Sequence, residues 1–296
     1  MRKFTNLQTD LLRTFVTVVD LGNYTETGQL LGRTQPAISL QIKRLEELAG
    51  VKLIEAKGKS IELTDSGQSL IGYAREIVRL NDSAVAKLQQ AHMSGTLRVG
   101  LPTDYAISYF QQIIARFALA NPDVNLSISC NRSKQLLSSL HTDKLDLAIA
   151  ITDQMPAPYV SLYWSERPVW VCSRDFELDP DKPIPLIAHQ EGCVYRKSMI
   201  DTLNSENRDW RIYFESPGIA ALQNAVLDGM GVTALTKKTL LPGMRMLTPR
   251  EGFPQLSNLH IGLFYKHVKA SDAALQLIEE VTDGVKAITT PTLRGA

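Results

Sequence analysis

The chain has 296 residues, of which 44% are hydrophobic, enough for about two domains that each bury a core. Its 32 basic and 31 acidic side chains nearly cancel, which argues against a general polyanion-binding protein but not against a sequence-specific one, where a few placed cations suffice. The three cysteines follow no disulfide or zinc spacing, and neither a signal-like apolar run nor about 20 consecutive apolar residues is present, so we expect a cytoplasmic protein without a cofactor.

Helical periodicity dominates the N-terminal part of the chain. Apolar residues at helical spacing predict a first helix over residues 6–20. Residues 25–48 predict two further helices joined by a tight turn, with Thr25 as the candidate N-cap of the shorter one. Gly32 supplies the permissive backbone of the turn, and the hydroxyl of Thr34 can cap the helix that follows.

The second helix of this pair has two contrasting faces. Its apolar stripe comprises Ile38, Ile42, Leu45 and Leu48. Its other face carries amide, hydroxyl and cationic groups, on Gln35, Ser39, Gln41, Lys43 and Arg44. Such groups bind base edges and phosphates, although most polar helix faces are merely solvated. Because the polar residues gather towards the N-terminal half, the pattern favours a recognition helix that enters the major groove.

A basic turn follows the helix pair. The strand-like runs 51–54 and 60–63 flank Gly58, with Lys57 and Lys59 on either side of it. This pattern predicts a hairpin, or wing, that can lie on the phosphate backbone or in the minor groove. The alternative is a charged turn at the edge of a sheet.

A long amphipathic helix is predicted next. The sequence TDSG at residues 64–67 can cap it, and it continues to about Met93. Its apolar residues approximate a heptad seam made of Leu70, Tyr73, Ile77, Leu80, Ala84, Leu88 and Ala91. The seam could pack on the protein's own body. We favour pairing with a second copy, because a dimer places two recognition helices on two half-sites.

Beyond Ser94 and Gly95 the pattern changes to alternating strands and helices. The βαβαβ order over residues 96–151 ends in the apolar run LDLAIAI, typical of a buried parallel strand, and predicts a doubly wound sheet. A second region of this type, a later strand at 259–265 and a final helix predict two α/β lobes crossed near 164–168 and near 265–270. Ligands bind such folds in the cleft between lobes.

These motifs resemble a known family. QPAISLQIKRLEE, VKLIE and ELTDSG, in this order, are similar to the winged helix-turn-helix of LysR-type transcriptional regulators. LDLAIA and AVLDGMGVTAL resemble that family's periplasmic-binding-protein-like effector domain, and GLPTDYA, PVWVCS and EGCVYRKSMIDTL resemble the LrhA-like subgroup. The resemblance implies a homotetramer, as a dimer of dimers, that binds operator DNA and a small-molecule effector, with RNA polymerase as a candidate partner.

The resemblance also implies the domain limits. We expect a helix-dominated winged helix-turn-helix domain, a linker helix for dimerisation, and a two-lobed α/β effector-binding domain. Their ranges are 1–65, 66–93 and 94–296, with lobe I at 96–165 and 268–296 and lobe II at 166–267.

DNA contacts are carried over residue by residue. The residues that the resemblance assigns to phosphates, base edges and the wing are Thr25, Thr27, Gln35, Pro36, Ser39, Lys43, Arg44, Lys57 and Lys59. Leu40 stands where the family often has arginine, so a thymine-methyl contact replaces a base hydrogen bond. Ala56 replaces a common wing arginine, which weakens minor-groove anchoring. Gly28 replaces a common alanine, which lowers intrinsic helix stability by about 1 kcal/mol.

The candidate effector residues lie at strand-to-helix corners and near the hinge. They are Pro102, Thr103, Asp104, Ser133, Trp164, Tyr195 and Arg196. Asp104 is more simply a helix cap than a ligand contact, but if it faces the cleft the effector carries an amine or a hydroxyl. Ser133 is either a cap or a donor, Trp164 either stacks or plugs the hinge, and Arg196 could bind a carboxylate.

Two other classes of protein share parts of these patterns. A solute-binding protein shares the two lobes, but the N-terminal helix pair and the lack of a secretion signal argue against it. An enzyme is the third class. The sequence contains no nucleophile elbow, HExxH, CxxC or P-loop, and its five histidines are scattered, so we do not predict catalysis.

Overall fold

The computed structural model describes residues 5–57, 60–89, 93–108, 110–152 and 158–289. The N-terminal part consists of α1 (Thr9–Leu21), α2 (Tyr24–Leu31), α3 (Gln35–Ala49), β1 (Ile54–Lys57), β2 (Ser60–Leu63) and α4 (Asp65–Gln89). β1 and β2 pair antiparallel, with Lys57 opposite Ser60, so the predicted hairpin is present, although its first strand is Ile54–Lys57 and not residues 51–54. Lys59 lies outside the described residues, as does the side chain of Lys57.

Helix caps follow the predicted pattern at α3 but not at α2. The Thr34 hydroxyl accepts a hydrogen bond from the backbone N–H of Ala37 at 3.4 Å, as predicted. The cap of α2 is Asn23, whose Oδ1 accepts from the N–H groups of Thr25 at 2.8 Å and Glu26 at 3.2 Å. The prediction of Thr25 as the cap was wrong. An asparagine two positions earlier already satisfies those donors, so the helix starts sooner.

The core of the N-terminal part lies between α1, α3 and α4. Ile38, Ile42 and Leu45 are buried from α3, whereas Leu48 is 37% exposed, so the apolar stripe of this helix ends at Leu45. At the turn between α2 and α3, a Cβ on Gly28 would lie 2.6 Å from the carbonyl oxygen of Arg33. A side chain at this position would require the backbone to shift. Gly28 therefore allows the close approach of the two helices at the turn, although glycine has a low helix propensity.

The C-terminal part alternates strands and helices. Its elements are β3 (Gly95–Leu101), α5 (Thr103–Ser108), α6 (Gln111–Ala120), β4 (Val124–Cys130), α7 (Ser133–His141), β5 (Leu147–Thr152), β6 (Val160–Glu166), β7 (Val169–Ser173), β8 (Ile184–Ala188), α8 (Val194–Ser205), β9 (Trp210–Glu215), α9 (Ile219–Leu227), β10 (Thr233–Leu235), β11 (Met244–Met246), β12 (Leu259–Tyr265) and α10 (Asp272–Thr289).

These strands form two lobes. The sheet of lobe I has the order β4-β3-β5-β12-β6, with β3 parallel to β4 and β5 and with β12 antiparallel to both its neighbours. In lobe II, β8 and β9 are parallel, β10 and β11 flank β7 antiparallel, and a bridge between Leu186 and Val232 connects the two groups. Two α/β lobes are therefore confirmed.

One limit of the predicted lobes was wrong. β12 pairs with β5 and β6, so it belongs to lobe I and not to the predicted lobe II range of 166–267. The second passage between lobes accordingly precedes Leu259 instead of following Tyr265. The apolar pattern of β12 predicts a buried strand but contains no signal for its sheet, because each lobe offers a similar apolar edge.

Helix α4 has one buried and one exposed apolar face. Ile71, Ala74 and Val78 are buried against the protein. Of the predicted seam, Tyr73, Ile77, Leu80 and Leu88 are exposed, with Tyr73 69% and Leu80 52% exposed. Leu70 packs against the N-terminal core instead, and Ala91 lies outside the described residues. The helix therefore packs on its own body and leaves the seam exposed from Tyr73 to Leu88. No helix among the described residues is long and apolar enough to cross a membrane.

Candidate nucleic-acid interface and effector cleft

The N-terminal half of α3 presents a continuous exposed face. Its residues fall into two rows at i, i+4 spacing, which are Gln35, Ser39 and Lys43 in one and Pro36, Leu40 and Arg44 in the other. All are exposed, and Leu40 is 66% exposed although it is apolar. The structure thus brings these predicted contacts together on one surface of the size that a major groove admits.

Two polar residues of the helix pair point away from this face. The Thr27 side chain is 0% exposed and its hydroxyl donates to the carbonyl oxygen of Asn23 at 2.8 Å, so the predicted phosphate contact was wrong. Gln41 accepts a hydrogen bond from the Thr14 hydroxyl at 2.8 Å and ties α3 to α1. Thr25 is exposed in the first turn of α2, and its contact with a phosphate stays a prediction.

A buried acid in α3, which the sequence patterns did not single out, holds the start of the wing. Glu46 is 7% exposed and accepts hydrogen bonds from Lys52 Nζ at 2.6 Å and from the N–H groups of Leu53 at 3.0 Å and Ile54 at 3.4 Å. Burial alone would raise the pKa of Glu46, but these donors lower the pKa overall. The charged carboxylate therefore fixes β1 relative to the recognition helix.

Acidification is expected to loosen this connection. The pKa of Glu46 is lower in the folded state than its ordinary value of 4.5. Its carboxylate therefore contributes its full stabilisation of the fold above pH 4.5, and this contribution is lost as the pH falls through the folded-state pKa. Glu46→Gln keeps an acceptor but removes the charge, and should lower the free energy of unfolding by about 1–2 kcal/mol at pH 7. Urea unfolding of wild type and variant at pH 7 and at pH 3.5 measures this difference in the free energy of unfolding. A difference between wild type and variant that does not shrink at pH 3.5 would contradict this role.

The cleft between the lobes is bridged by a carboxylate and a phenol. The Tyr195 hydroxyl, from α8, donates to Asp104 Oδ2, from α5, at 3.0 Å. Burial raises the pKa of Asp104, while Tyr195 and backbone N–H groups lower it in part. Nearby, the Tyr105 hydroxyl donates to Glu166 Oε2 at 2.8 Å. Asp104 therefore lies in the first turn of α5, next to its backbone N–H groups, and also faces the opposite lobe, where it has an internal partner.

Other predicted effector residues also have internal partners. Ser133 accepts a hydrogen bond from the N–H of Ile151 at 2.9 Å, which joins α7 to β5 instead of capping the helix. Arg196 forms an ion pair with Glu215, so the carboxylate that it binds belongs to the chain. Ser133 is therefore not the helix cap, and the contacts of both side chains with an effector stay a prediction.

The remaining predicted positions lie at the hinge and behind α5. Trp164 is 7% exposed and packs edge-on against Phe110, with ring centroids 6.4 Å apart, which favours a plug over a stacking platform. Pro102 is buried and Thr103 is half-buried at the start of α5. Burial raises the pKa of Cys193, so this thiol ionises less readily than a free cysteine.

Comparisons with known proteins identify the family. A family described as LysR substrate binding domain matches residues 90–286, and one described as bacterial regulatory helix-turn-helix protein, lysR family, matches residues 9–68. The chain belongs to the LysR family of transcriptional regulators. Among its relatives, HTH-type transcriptional regulator PecT of Dickeya dadantii is 33% identical over 255 residues, covering 86% of this chain and 80% of PecT. DgdR of Burkholderia cepacia is 27% identical, and the match covers 93% of this chain and 94% of DgdR.

Solved structures show the same fold. DarR of Vibrio fischeri in complex with DNA has a TM-score of 0.52 at 18% identity, covering 93% of this chain and 98% of that one. Oxidised OxyR of Corynebacterium glutamicum has a TM-score of 0.52 at 20% identity, and the match covers 97% of this chain and 94% of that one. As a LysR-family regulator, this protein has a helix-turn-helix DNA-binding domain and an effector-binding domain, and it is not an enzyme. The similarity to the LrhA-like subgroup stays a prediction.

Proposed function

We propose that this LysR-family regulator binds a two-part operator as a dimer, with α3 of each copy in the major groove of one half-site. The exposed rows on α3 carry this proposal, because amide, hydroxyl and cationic groups stand together there while the apolar stripe is buried. Gln35 and Ser39 are suited to base edges, and Arg44 and Thr25 to phosphates. The lysines of the wing, Lys57 and Lys59, add backbone contacts.

The exposed seam of α4 supports the dimer. Tyr73, Ile77, Leu80 and Leu88 are 69%, 41%, 52% and 83% exposed, and they recur at helical spacing along one face. Such a stripe is costly in water and is typical of a helix that pairs with another helix. A dimer of dimers and a contact with RNA polymerase remain predictions.

The interlobe hydrogen bond supports an effector site in the cleft. An effector that carries an amine or a hydroxyl could replace the Tyr195 phenol at Asp104, and so break the contact between α5 and α8 that holds the lobes together. Pro102 and Thr103 border this position. The resulting change in lobe angle would alter the spacing of the paired DNA-binding domains and the bend of the DNA.

Base readout is tested by removing polar groups from α3. Gln35→Ala and Ser39→Ala are each expected to cost about 1 kcal/mol or more per half-site, so a dimer should lose operator affinity by about 25-fold or more. Nonspecific DNA binding should change little. Gln135→Ala, an exposed glutamine on α7, is the matched control and should leave both affinities unchanged. The measurement is a titration of the footprinted operator and a scrambled duplex, and equal losses on both would contradict base readout.

A further inference from the structure

The first helix of the DNA-binding domain meets lobe I at a small buried contact. The Asp20 carboxylate of α1 accepts a hydrogen bond from the backbone N–H of Tyr159, just before β6, at 3.0 Å. Beside it, Thr17 Oγ1 of α1 lies 3.1 Å from Nε2 of His267, in the turn that follows β12. We call these contacts, together with the ion pair between Asp20 and Arg75, the α1 junction. The junction couples α1 directly to the effector-binding domain, in addition to the connection through α4.

The hydrogen bonds of the α1 junction fit a neutral imidazole on His267. The Thr17 hydroxyl donates its one proton to the carbonyl oxygen of Arg13 at 2.7 Å, so Nε2 of His267 must be the donor to Thr17. Nδ1 lies 3.8 Å from Asp20 Oδ2, which is too far for a hydrogen bond. A second proton on Nδ1 would therefore create a cation in a side chain that is only 8% exposed, without a hydrogen bond to this carboxylate.

The charges around His267 do not compensate for its burial. Burial lowers the pKa of His267 to about 4, and Arg13 and Arg75 act in the same direction, while Asp20 and Asp82 oppose the shift only in part. The charged and titratable groups that surround the imidazole are Arg13 and Asp20 from α1, Glu26 from α2, Arg75 and Asp82 from α4, and Tyr159, Tyr265, Lys266 and Lys269 from lobe I.

Tyr159, on the lobe side of the junction, has a backbone conformation that is uncommon for a tyrosine. Its φ is +63°, in the left-handed region that favours glycine. Its N–H donates to Asp20, and its carbonyl oxygen accepts from the N–H of Tyr265 at 3.0 Å. Such a conformation persists where surrounding contacts hold it, so loss of the Asp20 contact allows the segment to relax. A cavity of about 360 Å³, lined from both sides of the junction, gives space for this movement.

We propose that the α1 junction is a pH-sensitive latch, which fixes the DNA-binding domain to lobe I at neutral pH and opens in mild acid when His267 takes up a proton. In the open junction the imidazole is solvated and has its ordinary pKa of 6.5. The open form therefore binds a proton more readily than the closed form. Closure weakens as the pH falls below 6.5, and the effect levels off below about 4.

Opening of the latch would change the orientation of the recognition helix. α1 is tied to α3 by the hydrogen bond between Thr14 and Gln41, so α3 follows α1 when the junction opens. The angle between α3 and lobe I is then no longer fixed, and the spacing of paired recognition helices changes with pH. This consequence for DNA rests on the proposed function, whereas the opening of the junction does not.

Hydrogen–deuterium exchange of the full-length protein tests the latch. The protection factor of the Tyr159 amide is measured in peptides that span residues 158–162, because this ratio removes the intrinsic pH dependence of exchange. With a His267 pKa of 6.5 in the open junction and about 4 in the closed one, protection should fall about eightfold between pH 7 and pH 5.5. The amides of β5, a buried strand of lobe I, should keep their protection.

Two histidine variants make the test specific. His267→Gln removes the titration but keeps an N–H donor for Thr17, so the Tyr159 amide should have the protection of the wild type at pH 7 and retain it at pH 5.5. His141→Gln is the matched control. The His141 ring is next to the Tyr159 ring, with centroids 6.2 Å apart, but His141 is exposed, so this variant should lose protection in acid as the wild type does.

Four results would overturn the proposal. They are unchanged protection of Tyr159 in the wild type between the two pH values, an equal loss of protection in β5, an equal loss in His267→Gln, and low protection of that variant already at pH 7. The last result would show that the shape of the imidazole, and not its charge, closes the junction. Operator binding at pH 7 is measured separately, so a failure of the latch is distinguishable from a failure of DNA recognition.

Discussion

Asp20→Ala is expected to lower the free energy of unfolding by about 3–5 kcal/mol, because it removes the carboxylate that pairs with the buried guanidinium of Arg75. Arg75 Nη2 and Asp20 Oδ1 are 2.5 Å apart, and their side chains are only 7% and 3% exposed. The same carboxylate accepts from the backbone N–H of Tyr159 at 3.0 Å, so it links α1 and α4 to lobe I. The variant should also loosen the DNA-binding domain from that lobe.

The neighbouring histidine cannot compensate for the loss. His267 Nδ1 lies 3.8 Å from Asp20 Oδ2, and burial lowers the pKa of His267 to about 4, so the ring is neutral at pH 7. Urea unfolding at pH 7 measures the effect. Asp179→Ala removes an exposed pair with Lys182 and should leave the free energy of unfolding almost unchanged. A similar small loss for Asp20→Ala would show that the buried pair does not stabilise the junction.

Introducing two charges into the α4 seam is expected to abolish the dimer. Ile77→Glu with Leu80→Glu would require two like-charged pairs to be buried between helices, which outweighs the apolar contacts there. Each monomer can then bind one half-site only, and operator affinity should fall by about 100-fold or more. Light scattering measures the mass, and titration of the intact operator measures the affinity.

A charge placed elsewhere on the same helix is the control. Val85 is 45% exposed but lies off the seam, so Val85→Glu should preserve both the mass and the affinity. If the double variant still forms dimers of wild-type stability, the seam is not the interface. If the double variant is monomeric yet binds the operator normally, the two-half-site mechanism is wrong.

Short-range patterns were sufficient for much of this protein. Thr34 was predicted as a cap because a hydroxyl can reach an N–H three residues away, and that contact forms. The polar and apolar faces of α3 follow from helical periodicity, which depends only on spacing within one helix. The βαβ pattern in the same way predicted two α/β lobes. These features depend on near neighbours in the chain, so the sequence contains them.

Two of the predictions that failed concern competition between local alternatives. Thr25 and Asn23 can each cap α2, and the earlier residue satisfies the free N–H groups. Thr27 has a hydroxyl suited to a phosphate, but its rotation about the helix places it in the core. A one-residue change of position rotates a side chain by about 100° around a helix, so exposure depends on packing that composition does not specify.

What the sequence determined by itself is the set of elements, their polar and apolar faces, and the family motifs that identify a regulator. What only the tertiary structure decided is which distant groups meet. Asp20 meets Tyr159 across 139 positions, and Tyr195 meets Asp104 across 91. A buried charge or donor needs a partner, but any of many polar residues could supply it. The choice depends on how the elements pack in three dimensions, and no spacing along the chain encodes it.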